Sequence, residues 1–379
     1  MGRNKINFVD LCQGEFGRKT AYTGVDQITP QNVAQVLSDT IGIHNRNRTL
    51  MDYLYRYYKG DQPILYREKL VRPEVNNKVV ENHALETVKF KAGQIYGEPI
   101  QYVCKKKKAS EETNEQVDRL NDYLDEANSD ARNIQLGIYQ SAVGTAYKAI
   151  LREDEWTKDG DLPPFRIFIP SPQDVYIVYS SVTGKPVLSV QILKDEDNQQ
   201  YYQCYSSRQY FKIQNGAVTE SGINGFGGIP IIEYPNNHDR LSDIEIAITM
   251  YDAINKYQSD RLNGVEQFVQ ALMKFKNCEI DEAEFVKMIK LGAVSVKDVG
   301  NGTQSDVDLM TAELNQSESQ VAKDDIYNNI LIVEAMPNRQ GNTGGDTGNA
   351  VYLRNGWDFA ERDAKLVAVS YTHLTLPTT

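Results

Sequence analysis

A basic surplus is missing from this sequence: 41 Lys and Arg stand against 52 Asp and Glu, a net charge of −11. A polycationic face that grips nucleic acid by releasing counterions is therefore excluded as its organising feature. Cysteine is scarce, and Cys12, Cys104, Cys204 and Cys278 lie 74 or more residues apart with no C-x-x-C pair. Zinc knuckles and a disulfide framework are both excluded, and a reducing cytoplasm fits. No apolar run approaches the eighteen or so residues a membrane span needs, and no basic, then apolar, leader opens the chain. The four histidines, His44, His83, His238 and His373, are widely separated, which disfavours a histidine-based triad. Signatures for nucleotide, metalloprotease, serine hydrolase and calcium chemistry (G-x-x-x-x-G-K-[ST], H-E-x-x-H, G-x-S-x-G, EF-hand) are all absent.

What is present is 379 residues, enough for two or three domains, with a marked change of periodicity along the chain. Residues 1–45 mix Gly, Thr, Asn and Gln, and predict an extended arm ending in a short helix near Val33 to Leu37. Leu50, Tyr53, Leu54, Tyr57 and Tyr58 repeat at three and four, and Gly60 stops that helix. Asn76 and Asn77 are candidate caps for a helix with Val80, Ala84, Val88, Ala92 and Ile95 on one face, ended by Gly97 and Pro99. Ile100, Tyr102 and Cys104 alternate as a strand, and helical spacing returns from Glu115 to Tyr139 with a break at Asn128 to Asp130. From Ala146 to Glu233 short strands separated by turn signals predict an antiparallel meander.

Past Pro235, Ser242 and Asp243 open a proline-free run to about Lys276, roughly 50 Å if helical throughout. Ala247, Tyr251, Ile254, Leu262, Val265, Val269 and Leu272, with Gln258 as the polar exception, mark a stripe that wants a neighbour on one face only. A second helix is predicted from about Gln316 to Ala335, with Val321, Asp325, Ile326, Ile330 and Val333 near one face and Pro337 as its stop. Gln340 to Asn349 holds four glycines in ten residues and predicts a mobile loop, followed by helical spacing from Val351 to Ala368. Between Ser242 and Met336, 17 acidic residues face 8 basic ones, so this quarter of the chain carries nine of its eleven net negative charges.

Three stretches carry a family resemblance. The first runs from Met336-Pro-Asn-Arg-Gln-Gly through Gly344-Gly345-Asp346 to Arg354-Asn-Gly-Trp357. The second is Tyr57-Tyr58-Lys59-Gly60 with Pro73, Asn76, Asn77 and Lys78, then Lys91-Ala-Gly93, Tyr96-Gly97 and Pro99-Ile100. The third is Pro230-Ile-Ile-Glu-Tyr-Pro-Asn-Asn237 followed by Asp243, Tyr251-Asp252 and Ser259-Asp260. In this order, from about residue 46 to 369, the chain resembles the portal proteins of tailed bacteriophages of the siphophage type.

The resemblance implies an α+β fold: a mixed α/β wing domain with antiparallel strands, long stem helices, a small α/β clip insert and a Gly-rich tunnel loop. Mapped onto this chain it implies an N-terminal arm at 1–45, a wing at 46–241 and stem helices at 242–276 and 316–337. The clip falls at 277–315, the tunnel loop at 338–349 and a returning helix at 350–369. Residues 370–379 have the composition of a non-native tail replacing a longer natural C-terminus. It further implies a dodecameric ring at the capsid portal vertex of the virion, assembled in the host cytoplasm. Double-stranded DNA is packaged and ejected through such a ring with only non-specific contact, and without enzymatic activity, cofactor, metal or membrane. The implied partners are the terminase large subunit, the major capsid and scaffolding proteins and a head-completion adaptor. Gly341, Asn342, Thr343, Gly344, Gly345, Asp346, Thr347, Gly348 and Asn349 are implied to face the DNA, and Lys287, Lys290 and Lys297 to face clip partners.

The residues argue independently in the same direction. One-sided amphipathic helices are completed by neighbours in a heterologous ring, and an acidic channel repels phosphate so that DNA slides. The competing readings are a metal-dependent nuclease using Asp306 and Asp308, or a different head-morphogenesis or adaptor protein. Solvation of surface carboxylates accounts for those aspartates, and for Glu279, Asp281, Glu282 and Glu284, without a metal.

Overall fold

The computed structural model describes residues 6–70, 73–104, 111–153, 163–269, 272–276, 306–310, 316–339 and 348–372, with single positions at 283 and 286. In chain order the elements are α1 (Phe8–Cys12), β1 (Ala21–Thr23), α2 (Val33–Tyr58), α3 (His83–Tyr96), α4 (Glu111–Glu126), α5 (Ser129–Val143) and β2 (Thr145–Arg152). They continue with β3 (Phe165–Phe168), β4 (Val175–Ser180), β5 (Pro186–Lys194), β6 (Gln200–Tyr205), β7 (Gln209–Gln214), β8 (Ala217–Ile223) and β9 (Ile231–Pro235). The last are α6 (Asp243–Val269), β10 (Leu272–Lys276), β11 (Asp306–Met310), α7 (Gln316–Val333), α8 (Gly348–Arg354) and α9 (Trp357–Thr372). The fold is α+β, as expected.

The first 45 residues are not an extended arm. Phe8 and Cys12 of α1 are buried in the helical core, β1 joins a sheet, and α2 runs 26 residues straight through the expected boundary at 45 and 46. The sequence hid this helix because its buried positions there are polar. His44 stacks on Tyr176 at 4.6 Å and shares a hydrogen bond with the Gln173 carbonyl at 2.9 Å, while Asn47 exchanges two hydrogen bonds with the Lys19 backbone. Burial pushes His44 down to about 4, so it is neutral at physiological pH.

α2 thereby spans two cores. Its first half, with Val33, Val36 and Leu37, covers Val178, Leu188, Val190 and Phe211 of a six-stranded sheet ordered β1-β4-β5-β6-β7-β8. Its second half, with Leu50, Leu54 and Tyr57, packs among Ile248, Tyr251, Ile254 and Ile330. β4 through β8 form the expected meander, but β2 and β3 leave it for a three-stranded sheet ordered β3-β2-β9. Pro170 and Pro172 explain the break, since neither can donate to a ladder between β3 and β4. β1 pairs in parallel with β4, Ala21 opposite Val178, and its three residues are too few to show a period. Ile100 to Cys104 is not a strand; the Tyr102 backbone exchanges two hydrogen bonds of 3.0 Å with Asn121 of α4.

α3 begins later than expected, capped by Asn82, whose Oδ1 accepts from the Leu85 amide at 3.2 Å, and not by Asn76 or Asn77. α6 also ends earlier. Its helix stops at Val269, and β10 pairs antiparallel with β11, Lys274 opposite Asp308 and Lys276 opposite Asp306. The returning helix is likewise two, α8 and α9, divided at Asn355-Gly356, where Gly356 has φ +82°. α9 runs on to Thr372, past the expected break at 370, and residues 373–379 lie outside the described residues.

Two glycines fasten the N-terminal segment and the β2 strand to the turn before α6. A Cβ on Gly144 (φ +88°) would lie 2.0 Å from the Arg240 carbonyl oxygen, and one on Gly17 (φ +79°) 2.3 Å from that of Asp239. Gly144→Ala is expected to destabilise the protein by about 3 kcal/mol or more in denaturant unfolding. Gly184→Ala, with φ +68° but open space around it, should cost only about 1 kcal/mol.

Candidate functional site

α6 is the longest described helix, and two different chemistries hold its two halves. In the first half the buried face is apolar, as its spacing predicts: Ile244, Ala247, Ile248, Tyr251 and Ile254 are all in the helical core. From Asn255 onward the buried face is polar instead. Asn255, Ser259 and Asn263 are buried, whereas Leu262 and Val265, expected on the packed stripe, are 40% and 45% exposed.

The polar stripe binds an extended strap, residues 77–81. The Asn77 amide donates to Asn263 Oδ1 at 2.7 Å, the Val79 amide to Ser259 Oγ at 3.0 Å and the Glu81 amide to Asn255 Oδ1 at 2.8 Å. The match is geometric: four residues of helix rise about 6 Å, and two residues of extended chain cover about 6.6 Å. Every second strap amide therefore meets every fourth α6 side chain. Asn255 also donates to Gln62, which donates to the Tyr57 carbonyl at 3.2 Å, while Asn82 donates to the Tyr58 carbonyl at 2.9 Å. The open carbonyls ending α2 are thus satisfied by the groups that seat α6 and cap α3. Arg67 closes the far end, reaching Asp260 at 2.7 Å and the Asn77 carbonyl at 2.9 Å.

The head of α6 is held by ions. Ser242 caps it, its Oγ accepting from the Ile244 amide at 3.0 Å and donating to the Ala142 carbonyl at 2.8 Å. Glu245 completes the S-x-x-E box by accepting from the Ser242 amide at 3.3 Å, and also accepts from the Gly17 amide and pairs with the fully buried Arg18. Next to it Arg240 forks onto Glu233 at 2.7 and 2.9 Å, and Thr145 and Tyr179 donate to the same carboxylate. Burial opposes the Glu233 charge, but Arg240 and the two hydroxyls outweigh it and hold the carboxyl below its usual range. Asp243, in the first turn, accepts from Ser141 at 2.6 Å and from Asn236 at 2.9 Å.

α7 is fixed along α3 and α6. Lys323 pairs with Glu81, Tyr327 donates to Glu86 at 3.2 Å, and His83 lies against the Tyr327 ring and 3.0 Å from Glu86. The face expected for α7 is only partly the packed one, since Ile330 is buried but Val321 and Val333 are exposed. α7 ends on Ala335 (φ +49°) and the buried Met336, whose amide reaches back to the Leu331 carbonyl at 2.8 Å. Both ends of segment 340–347 are then stapled. Arg339 pairs with Glu86, and the Asn338 amide donates to the Asn355 carbonyl at 2.9 Å, bringing the residues before the segment against those after α8.

Of the expected DNA-facing residues, Gly341, Asn342, Thr343, Gly344, Gly345, Asp346 and Thr347 lie outside the described residues, as do Lys287, Lys290 and Lys297. Gly348 and Asn349 are not loop but the start of α8. Among the described residues no cluster of His, Cys, Asp and Glu is arranged to hold a metal ion, and no helix is long and apolar enough to cross a membrane. The strap, the Arg339–Glu86 staple and the α6 head pairs were missed in the sequence. The one available signal was Asn255, Ser259 and Asn263 at exact four-residue spacing.

The family model described as "Phage portal protein, SPP1 Gp6-like" matches residues 37–354. No curated protein sequence matches the chain significantly. Among solved structures, a chain from "Neck of native GTA particle computed with C12 symmetry" aligns with a TM-score of 0.45 at 11% identity, covering 82% of this chain and 77% of that one. 

The strap geometry sets an expectation for hydrogen exchange. The amides of Asn77, Val79 and Glu81 should be protected although they belong to no helix or sheet, and Ser259→Ala should speed exchange at Val79 about fivefold, equivalent to about 1 kcal/mol, before its neighbours.

Proposed function

Because the chain belongs to the SPP1 Gp6-like family of phage portal proteins, we propose that α6, α7 and segment 340–347 form the wall and constriction of a DNA channel in a closed ring of identical copies. The observation that carries this reading is the state of the two long helices. Each is anchored on one side by named hydrogen bonds and ion pairs, yet Ile246, Tyr257, Leu262 and Val265 of α6 and Val321, Ile332 and Val333 of α7 stay exposed. Exposed apolar positions on helices this firmly held call for cover, and a heterologous ring, one copy's α6 against the next copy's α7, covers them all by rotation. Twelve copies is the number the sequence resemblance implies.

The charge of this region fits a sliding surface. With 17 acidic and 8 basic residues between Ser242 and Met336, the ring's interior repels phosphate and avoids the counterion release that would hold DNA in place. Gly341 to Thr347, small and polar, line the narrowest point, with Gly348 and Asn349 fixing where the helix resumes. The β10–β11 hairpin lies at the far end of α6 and α7 and leads to 277–305, so Lys287, Lys290 and Lys297 face the terminase large subunit during packaging and a head-completion adaptor afterwards. The wing face meets the major capsid and scaffolding proteins, first in the host cytoplasm and finally at the portal vertex of the virion. The family is structural, and the protein needs no catalytic residue, metal or cofactor for this role. A nuclease reading is disfavoured because Asp306 and Asp308 stand opposite Lys276 and Lys274 in the ladder; release of phosphodiester fragments with Mg²⁺ or Mn²⁺ would revive it.

Negative-stain images of the purified protein test the ring directly, and turbine-like particles with a central hole are the expected result. Leu262→Glu together with Val265→Glu is expected to abolish rings while leaving the monomer folded by circular dichroism. Replacing Gly344 and Gly345 by proline is expected to leave rings intact but to cut packaged DNA at least tenfold; unchanged packaging would remove the segment from the channel.

A further inference from the structure

A buried cluster of ionisable groups lies where α6 begins, α7 ends and α9 returns. Lys91 of α3 donates to Asp363 of α9, and the Asp243 carboxylate of α6 lies close enough to act on its charge. Glu334, in the turn that ends α7, is 2% exposed, and its Oε1 has no hydrogen-bond partner. The groups facing Glu334 are Asp243 and Tyr251 of α6, Lys91 of α3 and Asp363 of α9. Tyr251 is engaged with Thr87 at 2.7 Å, and Asp243 is held by Ser141 and Asn236.

Three carboxyl groups therefore share one ammonium. If all were ionised the cluster would hold two uncompensated negative charges, and of the three acids only Asp363 has substantial access to water. Glu334 is the one with no donor at Oε1, so it is the one that must carry a proton. Consistently, burial first and Asp243 second push its carboxyl well above the usual range. Lys91 is left to Asp363, and that pair, with Trp357 packed 6.3 Å from Phe90, is how α9 sits on α3.

We propose that Glu334 and Lys91 form a proton-controlled latch on α9: with Glu334 protonated, Lys91 is committed to Asp363 and α9 is docked, and when Glu334 ionises it takes Lys91 and releases α9. The position gives the latch a consequence. Glu334 is five residues before Arg339, which pairs with Glu86, and α9 follows Asn355, whose carbonyl accepts from the Asn338 amide. Undocking α9 loosens the chain on the Asn355 side of the Asn338–Asn355 contact while α7 stays packed on the other side.

The sign follows from linkage. A carboxyl that holds its proton more tightly in the docked state favours docking at low pH, and loses that advantage as pH rises from the ordinary carboxylate value towards the docked one. Asp243, Glu245 and Asp252 are also held high by burial, so their own contributions to stability fall as pH rises as well. Locality is what separates the latch from that background.

The test is hydrogen exchange on the full chain between pH 5.5 and 8.5, corrected for intrinsic rates, comparing α9 with α2. It needs no ring, so its outcome is separate from that of the channel reading. Wild-type protection in α9 is expected to fall at least tenfold more than in α2 as pH rises. Glu334→Gln should remove the α9-specific part of the pH response, so that α9 follows α2, and Lys91→Met should leave α9 weakly protected throughout. Should Lys91→Met fail to fold, Asp363→Asn, at the partly exposed end of the pair, should give the same α9-specific loss. An unchanged pH response in Glu334→Gln, or a loss shared equally by α2 and α9, overturns the latch.

Discussion

One constraint organises this molecule: a 27-residue helix has to be gripped firmly along one side and left open along the other. Apolar packing does this for the first half of α6, where Ile244 to Ile254 enter a core shared with α2 and α7. Continuing the same packing to Val269 would require a second core around the helix tip. Instead Asn255, Ser259 and Asn263 accept three amides of an extended strap, which satisfies backbone groups that would otherwise be orphaned and needs only one layer of chain. The outer face stays free for something beyond the chain.

The same economy explains why so many charges are buried at the head of α6. Arg18 with Glu245 joins a segment 227 positions away in sequence to the start of the helix, and Arg240 with Glu233 ties the turn before it to β9. Such pairs contribute little net stability compared with apolar packing, since both ions lose their water, but removing one partner is costly. They therefore act as locators. The turn at 239–240 is pinched between Gly17 and Gly144 at distances no side chain tolerates, so the direction in which α6 leaves the core is set by sterics and by ion pairing together.

In a portal this division has a use. On the reading proposed above, the body of the protein stays fixed while DNA moves through the channel. The described residues on either side of 340–347 are stapled to the core, Arg339 on Glu86 and Asn338 on Asn355. That stapled base is in turn bordered by the buried cluster of Lys91, Asp243, Asp363 and Glu334.

Much of this was legible in the residues. The meander from β4 to β8, the start of α6 at Ser242, the end of α7 before Pro337 and the acidity of the two long helices all follow from local rules: strand alternation, a capping residue, a proline stop and simple counting. Where buried positions were polar, local rules failed. α2 was cut in two because His44 and Asn47 look like surface residues, and the tip of α6 was turned the wrong way because Leu262 and Val265 look like core. Periodicity assigns greasy residues to the inside; it has no means of knowing that Lys19, Gln173 and the strap amides will arrive as partners. The sequence by itself determined the elements, the charge and the family likeness, because those depend on neighbours along the chain. Which face of each helix is closed, and that Glu334 meets Asp243 and Lys91, only the tertiary structure decided, because hydrogen bonds and ion pairs between residues as much as 272 positions apart exist only once the chain has folded.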